Sequence, residues 1–200
     1  MTSAPTAVAL RARARPVPER PADRLLDMAT KLFASQGIRA IGIDLILREA
    51  NVAKSSLYSC FGSKEALVIA YLERLDQADR NRWNERTAKL TDPVAKVLAF
   101  FDVAAAAARA RDYRGCLYAN AATEFPGVEL GPVRAHRDWV RATITDLLRA
   151  AQIAQPSSVA GHIQILYDGA LVGSKIERST KPVTAARKLA EHLISAQRQT

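Results

Sequence analysis

Between Ala50 and Phe61 the chain reads Ala-Asn-Val-Ala-Lys-Ser-Ser-Leu-Tyr-Ser-Cys-Phe, a run whose polar residues suit hydrogen bonding better than bond-making chemistry. Leu57 and Phe61 are four apart, so on a helix they share one face and can anchor it inward. Lys54, Ser55, Tyr58 and Ser59 then point outward, with no carboxylate among them. Such groups donate to phosphate oxygens and base edges. A helix entering a DNA major groove needs a face of this kind. Most pairs of short helices joined by a tight turn are only core, and the outward set is what distinguishes this pair. A second group, Cys116, Asn120 and Glu124, is spaced four apart and shares one helical face, with Trp139 a candidate neighbour. Two readings stay open for it: the polar lining of a small-molecule pocket, or a polar patch that satisfies nearby backbone groups.

The elements that must position these residues all read as helices. Leu25, Met28, Ala29, Leu32 and Phe33 give a first stripe over about Ala22 to Gln36, and Gly37 suits the left-handed cap after it. Ile43, Ile46, Leu47 and Ala50 give a short second helix, Asn51 and Val52 the turn, and Lys54 to Cys60 a third helix. Ser63 caps a fourth, with Glu65 in its first turn. Asp92-Pro93 reads as an N-cap followed by proline at the first helical position. Helices follow over Cys116 to Phe125, Pro132 to Gln152, Ser157 to Ile176 and Pro182 to Gln197. About nine helices and no convincing strand make the class all-α.

Composition agrees. Apolar residues are 48% and charged residues 24% of 200, as in globular domains. A net charge of +9 is compatible with a polyanionic partner but is weak alone. No run approaches ~18 uninterrupted apolar residues, so no membrane contact is expected. The first residues make a poor signal peptide, which leads to an expectation of a cytoplasmic protein. Cys60 and Cys116 are too few for a disulfide framework, and free thiols are expected. Residues 1–20, with Arg11, Arg13, Arg15 and Arg20 among prolines, read as a disordered basic arm that touches DNA weakly. Residues 21–66 then form the DNA-binding unit and 67–200 a larger helical bundle. His136, His162 and His192 are scattered, with no metal-ligand spacing. No phosphate loop, nucleophile elbow or metal-binding helix motif appears, so neither an enzyme nor a cofactor is expected.

The stretch from Arg24 to Gly37, then Ile43-Asp-Leu-Ile46, then Ala50 to Leu67 with its Leu57-Tyr58 and Phe61-Gly-Ser-Lys-Glu65, resembles the N-terminal DNA-binding domain of TetR/AcrR-family transcriptional regulators. The likeness covers about residues 21–70; beyond it only the helical layout agrees. It implies that Lys54, Ser55 and Ser56 begin a recognition helix, and that Tyr58 and Ser59 reach DNA. It also implies that Lys64 meets phosphate, as do the backbone N–H groups around Gly42 and Ile43. Four positions depart from the family pattern. Gly42 and Ala53 stand where capping hydroxyls are usual, and Asn51 where glycine is usual. Asn tolerates the left-handed conformation. Cys60 replaces a frequent Tyr or His. These departures bear on operator affinity rather than on the fold.

The resemblance also implies a homodimer, since one recognition helix covers few base pairs and two-fold dimers read half-sites about 34–36 Å apart. The last two helices are the expected interface. Gly169 and Gly173 permit close approach, and Val183, Ala186, Leu189 and Leu193 form a second stripe; the alternative is that both stripes pack inside one subunit. The expected function is a homodimeric repressor on double-stranded operator DNA, released by an unidentified small-molecule effector. Two rivals are a DNA-bound scaffold for another protein, and a ligand-carrying bundle that has lost DNA binding.

Overall fold

The computed structural model describes residues 20–197, and among them the chain forms nine α-helices and no strand. They are α1 (Pro21–Gln36), α2 (Ile43–Ala50), α3 (Lys54–Phe61), α4 (Lys64–Thr87), α5 (Pro93–Ala110), α6 (Leu117–Glu124), α7 (Gly131–Ala150), α8 (Pro156–Glu177) and α9 (Lys181–Ala196). Of the basic arm expected over 1–20, only Arg20 lies within the described residues; it pairs with Asp23 at 2.8 Å. No helix among the described residues is long and apolar enough to cross a membrane.

The start signals act where local chemistry requires. Ser63 Oγ accepts from the Ala66 N–H, and the Asp92 carboxylate accepts from Val94 and Ala95, satisfying N–H groups with no partner inside the helix. Gly42 and Ala53, by contrast, cap α2 and α3 without any side-chain bond. Asn51 takes the left-handed turn at φ 51°, as its residue type allows. Gly37 goes further than a left-handed cap. At φ 94° and ψ 162° it occupies a region open to little besides glycine.

Two apolar cores organise these helices. The first joins α1, α2, α3 and the start of α4 around Leu25, Phe33, Ile46, Leu57 and Tyr71. It also takes in Leu117, Tyr118 and Ala121 of α6, so α6 belongs to the packing of the DNA-binding end. The second joins α5, α7, α8 and α9 around Val97, Phe101, Ile144, Ile163 and Ile194. The long helix α4 reaches it through Trp83, and Cys116 packs against both cores. Burial of Tyr71 pushes its hydroxyl up to about 12, keeping it neutral in the first core.

On α9 the apolar residues divide. Val183, Ala186, Ala190 and Ile194 are buried within the chain, Leu193 is half-buried, and Leu189 is 53% exposed. Val183 and Ala186, expected on an outer stripe, therefore face the chain's own core. Their spacing of three, four and four residues follows the helical repeat.

Candidate DNA-binding face and interior cavity

On α3, Leu57 is fully buried while Lys54, Ser55, Tyr58 and Ser59 are exposed, as the four-residue spacing requires. Ser56 and Phe61 are half-buried. Tyr58 leaves 49% of its surface open, and its hydroxyl makes no hydrogen bond among the described residues. Ser59 Oγ donates back to the Ser56 carbonyl at 3.1 Å. Lys54 lies 3.9 Å from Asp44 in the first turn of α2, a loose, solvent-exposed pair that a phosphate could replace. Gly42 is exposed and Ile43 half-buried, so the uncapped N–H groups at the start of α2 are open on the same side of the chain.

Lys64, for which the resemblance implies a phosphate contact, is half-buried and bonds within the chain. Its ammonium donates to the Ile38 and Ile41 carbonyls at 3.1 and 2.6 Å. Those carbonyls lie in the α1–α2 loop, where no helix partner is available, and they hold the ammonium inward. Lys64 thus anchors the loop that leads into α2.

The second constellation divides. A cavity of about 410 Å³ lies among α4, α5, α6, α7 and α8, and both Cys116 and Trp139 line it. Asn120 and Glu124 do not. Asn120 Nδ2 donates to the Arg114 carbonyl, and its Oδ1 accepts from Lys175, which ties α6 to α8. Glu124 Oε2 accepts from the Arg39 backbone N–H at 2.6 Å. A Cβ at Gly37 would stand 3.1 Å from Glu124 Oε1, so glycine there also leaves the carboxylate room. The reason is periodicity: positions four apart on a helix drift around its axis, so only the start of so short a stripe faces the cavity. Burial raises the proton affinity of the Cys116 thiol, which keeps it protonated.

Sequence reasoning missed the acidic pair on α4. Asp79 Oδ2 accepts from the Tyr118 hydroxyl at 2.9 Å, and its Oδ1 meets Arg82 and, at 3.2 Å, Arg111. Asp76 binds Arg80 at 2.7 Å and His136 Nδ1 at 2.7 Å. Tyr118 stacks on His136 with ring centroids 3.9 Å apart. Trp83 stacks on Phe100 at 5.1 Å, and Trp139 meets both edge-on. Two carboxylates three apart on one helix were the available signal; Arg80 and Arg82 are local partners, but Arg111, Tyr118 and His136 come from the end of α5, from α6 and from α7 and are distant in sequence. Burial lowers the proton affinity of His136, against the pull of Asp76 and Asp79, so the ring is neutral. His162 and His192 are exposed, and no three potential metal-ligating side chains group together among the described residues.

The expected interface residues also separate. Gly169 and Leu189 are exposed. The close approach allowed by Gly173 is used inside the chain, where an added Cβ would meet Pro182 at 3.0 Å. Leu193 packs partly into the second core.

A helix-turn-helix with an exposed polar recognition face, joined to a helical bundle that holds a cavity, defines a DNA-binding transcriptional regulator. Comparison with known proteins agrees. Residues 25–71 match the pattern of bacterial regulatory proteins of the tetR family. The HTH-type transcriptional regulator YjdC of Escherichia coli is 24% identical over 85% of this chain and 91% of its own. The HTH-type transcriptional regulator LmrA of Bacillus subtilis is 33% identical over 39% of this chain and 42% of its own. The crystal structure of SCO4454, a TetR-family transcriptional regulator from Streptomyces coelicolor, superposes with a TM-score of 0.80 at 28% identity, covering 88% of this chain and 95% of that one. The chain is a transcriptional regulator of the TetR family.

Proposed function

We propose that this regulator is a cytoplasmic homodimeric repressor that leaves its operator when a small molecule enters the cavity. The observation that carries the reading is the double role of α6. Its first residues, Cys116 to Ala119, line the cavity, and its last, Glu124, holds the loop in front of α2. A displacement of one end is therefore felt at the other. Lys64 grips the same loop from α4. Lys54, Ser55, Ser56, Tyr58 and Ser59 meet the DNA, with the N–H groups at Gly42 and Ile43 taking phosphate. Lys64 acts by positioning those N–H groups rather than as a phosphate ligand.

The dimer is supported by an exposed apolar stripe. Ile165, Val172 and Ile176 of α8 are 66%, 52% and 76% exposed, and Gly169 lies between them on the same helical face. Leu189 of the neighbouring helix α9 adds to it. Contiguous exposed apolar residues of this kind mark an interaction surface.

Gel shift with the upstream intergenic DNA of the protein's own gene tests the reading. A sequence-specific, salt-sensitive shift is expected, and Tyr58→Ala should weaken it without changing the sedimentation of the dimer. Ile165→Glu combined with Ile176→Glu should give a monomer. No specific shift with any flanking DNA would sink the proposal; a shift unaffected by Tyr58→Ala would remove that residue from the interface.

A further inference from the structure

The chemistry of the cavity wall restricts what can occupy it. The carboxylates at the wall already have guanidinium partners: Asp79 with Arg111 and Arg82, and Asp168 with Arg137 at 2.5 Å. A charged ligand at the Asp79–Arg111 pair, which is mostly buried, would have to break it and leave one partner uncompensated, whereas the Asp168–Arg137 pair is half-exposed. The aromatic rings of Trp83, Phe100 and Trp139, packed on one another with centroids about 5–6 Å apart, form one aromatic section of the wall.

Two hydrogen-bonding positions on the wall have no hydrogen-bond partner among the described residues. Gln164 is 4% exposed, and its Nε2 donates to the Arg137 carbonyl at 3.2 Å. That bond fixes which end of the amide is which and leaves Oε1 as an unused acceptor. His136 presents Nδ1 to the Asp76 carboxylate at 2.7 Å, so a neutral ring carries its proton there and keeps a lone pair on Nε2. The buried Gln164 oxygen and the His136 nitrogen both call for a donor. Tyr167 is also on the wall, and its hydroxyl, which bonds to no side chain among the described residues, can adapt to either role.

We propose that the cavity takes a neutral, flat aromatic molecule carrying at least one hydroxyl or N–H donor, held between the Trp83–Phe100–Trp139 rings and the acceptors of Gln164 and His136. A volume of about 410 Å³ suits a molecule of two or three rings. The inference rests on reading the cavity as the effector site, but it concerns binding and can be tested without DNA.

The experiment is isothermal titration calorimetry of the full-length protein with 2-naphthol, 2-methoxynaphthalene and 2-naphthoate. These probes share a ring system and differ in donor and charge. 2-Naphthol is expected to bind about tenfold or more tightly than 2-methoxynaphthalene, and 2-naphthoate least well. Gln164→Leu should reduce the preference for the hydroxyl to about threefold or less while 2-methoxynaphthalene still binds. His136→Phe should act in the same direction, and circular dichroism establishes that each variant folds. Equal affinity for the hydroxyl and methoxy probes, tightest binding of 2-naphthoate, or no binding of any probe overturns the proposal. So does a hydroxyl preference that survives Gln164→Leu in the folded protein. The effector reading is judged separately by operator gel shift with 2-naphthol added. Preferential binding without release of DNA leaves the ligand class standing and removes the repressor-release reading.

Discussion

His136 shows how much one side chain of the cavity wall is asked to do. It stacks on Tyr118, bonds Asp76, and stays neutral because burial opposes its charge more strongly than the nearby carboxylates favour it. Arg80 works in the same direction as burial. In the unfolded chain the ring returns toward its ordinary value of 6.5. The unfolded state therefore binds more protons from about that pH down to the lowered folded value, and stability falls as pH drops through the window. Well above it the ring is neutral in both states and the penalty vanishes. Thermal melts at pH 7.5 and 5.5 should show a larger loss of Tm for the wild type than for His136→Gln. Parallel losses would assign the pH dependence to other groups.

At the scale of the element, the recognition helix is under-capped. Ala53 sits at the N-cap of α3 with φ −67° and ψ 149°, a backbone geometry in which a serine hydroxyl can bond the first free N–H groups. Ala53→Ser should stabilise the protein by roughly 0.5–2 kcal/mol, read as a rise in the urea midpoint at constant m. A midpoint unchanged or lowered would mean that the hydroxyl is better solvated than bonded. The same element explains what was legible in the sequence. Leu57 inside and Lys54, Ser55, Tyr58 and Ser59 outside follow from a local repeat, and the helix starts at Ser63 and Asp92 follow from local capping chemistry. The partners of Lys64 and Glu124, the Ile38 and Ile41 carbonyls and the Arg39 N–H, were not legible because they are loop backbone groups, which no side-chain pattern marks. The α4 carboxylates were passed over for a related reason: Tyr118, Arg111 and His136 converge on them only in the folded chain. On α8 and α9 the apolar residues were visible, but which of them face inward depends on helix rotation. Gly173 against Pro182 shows a small residue used within the subunit, the alternative that stood open beside the intersubunit one.

At the scale of the molecule, the question is how a cavity in the bundle reaches the DNA-binding end. The two cores do not meet as independent bodies, since α6 contributes Leu117, Tyr118 and Ala121 to the first core while its start lines the cavity. The helix has eight residues and so spans only about 12 Å, short enough to move as a rigid piece. Its far end carries Glu124, whose carboxylate holds the Arg39 N–H at 2.6 Å in a loop that Gly37 opens and Gly42 closes. An occupant that displaces Cys116 or Tyr118 would therefore pull on the N-terminus of α2, with Lys64 as the second hold on the same loop. Loss of the Glu124 contact should uncouple the two sites without emptying either. In Glu124→Ala, calorimetric binding of 2-naphthol should persist, while the change in operator Kd on adding it should shrink toward onefold from the ~5–150-fold expected of a coupled pair. Glu124→Gln keeps an acceptor for the Arg39 N–H and should retain most of the response. Hydrogen exchange at the Arg39 amide supplies a readout free of DNA and ligand: faster in Glu124→Ala, close to wild type in Glu124→Gln. Full ligand-driven release in Glu124→Ala, with the Arg39 amide exchanging freely, would mean that the signal passes through α4 instead.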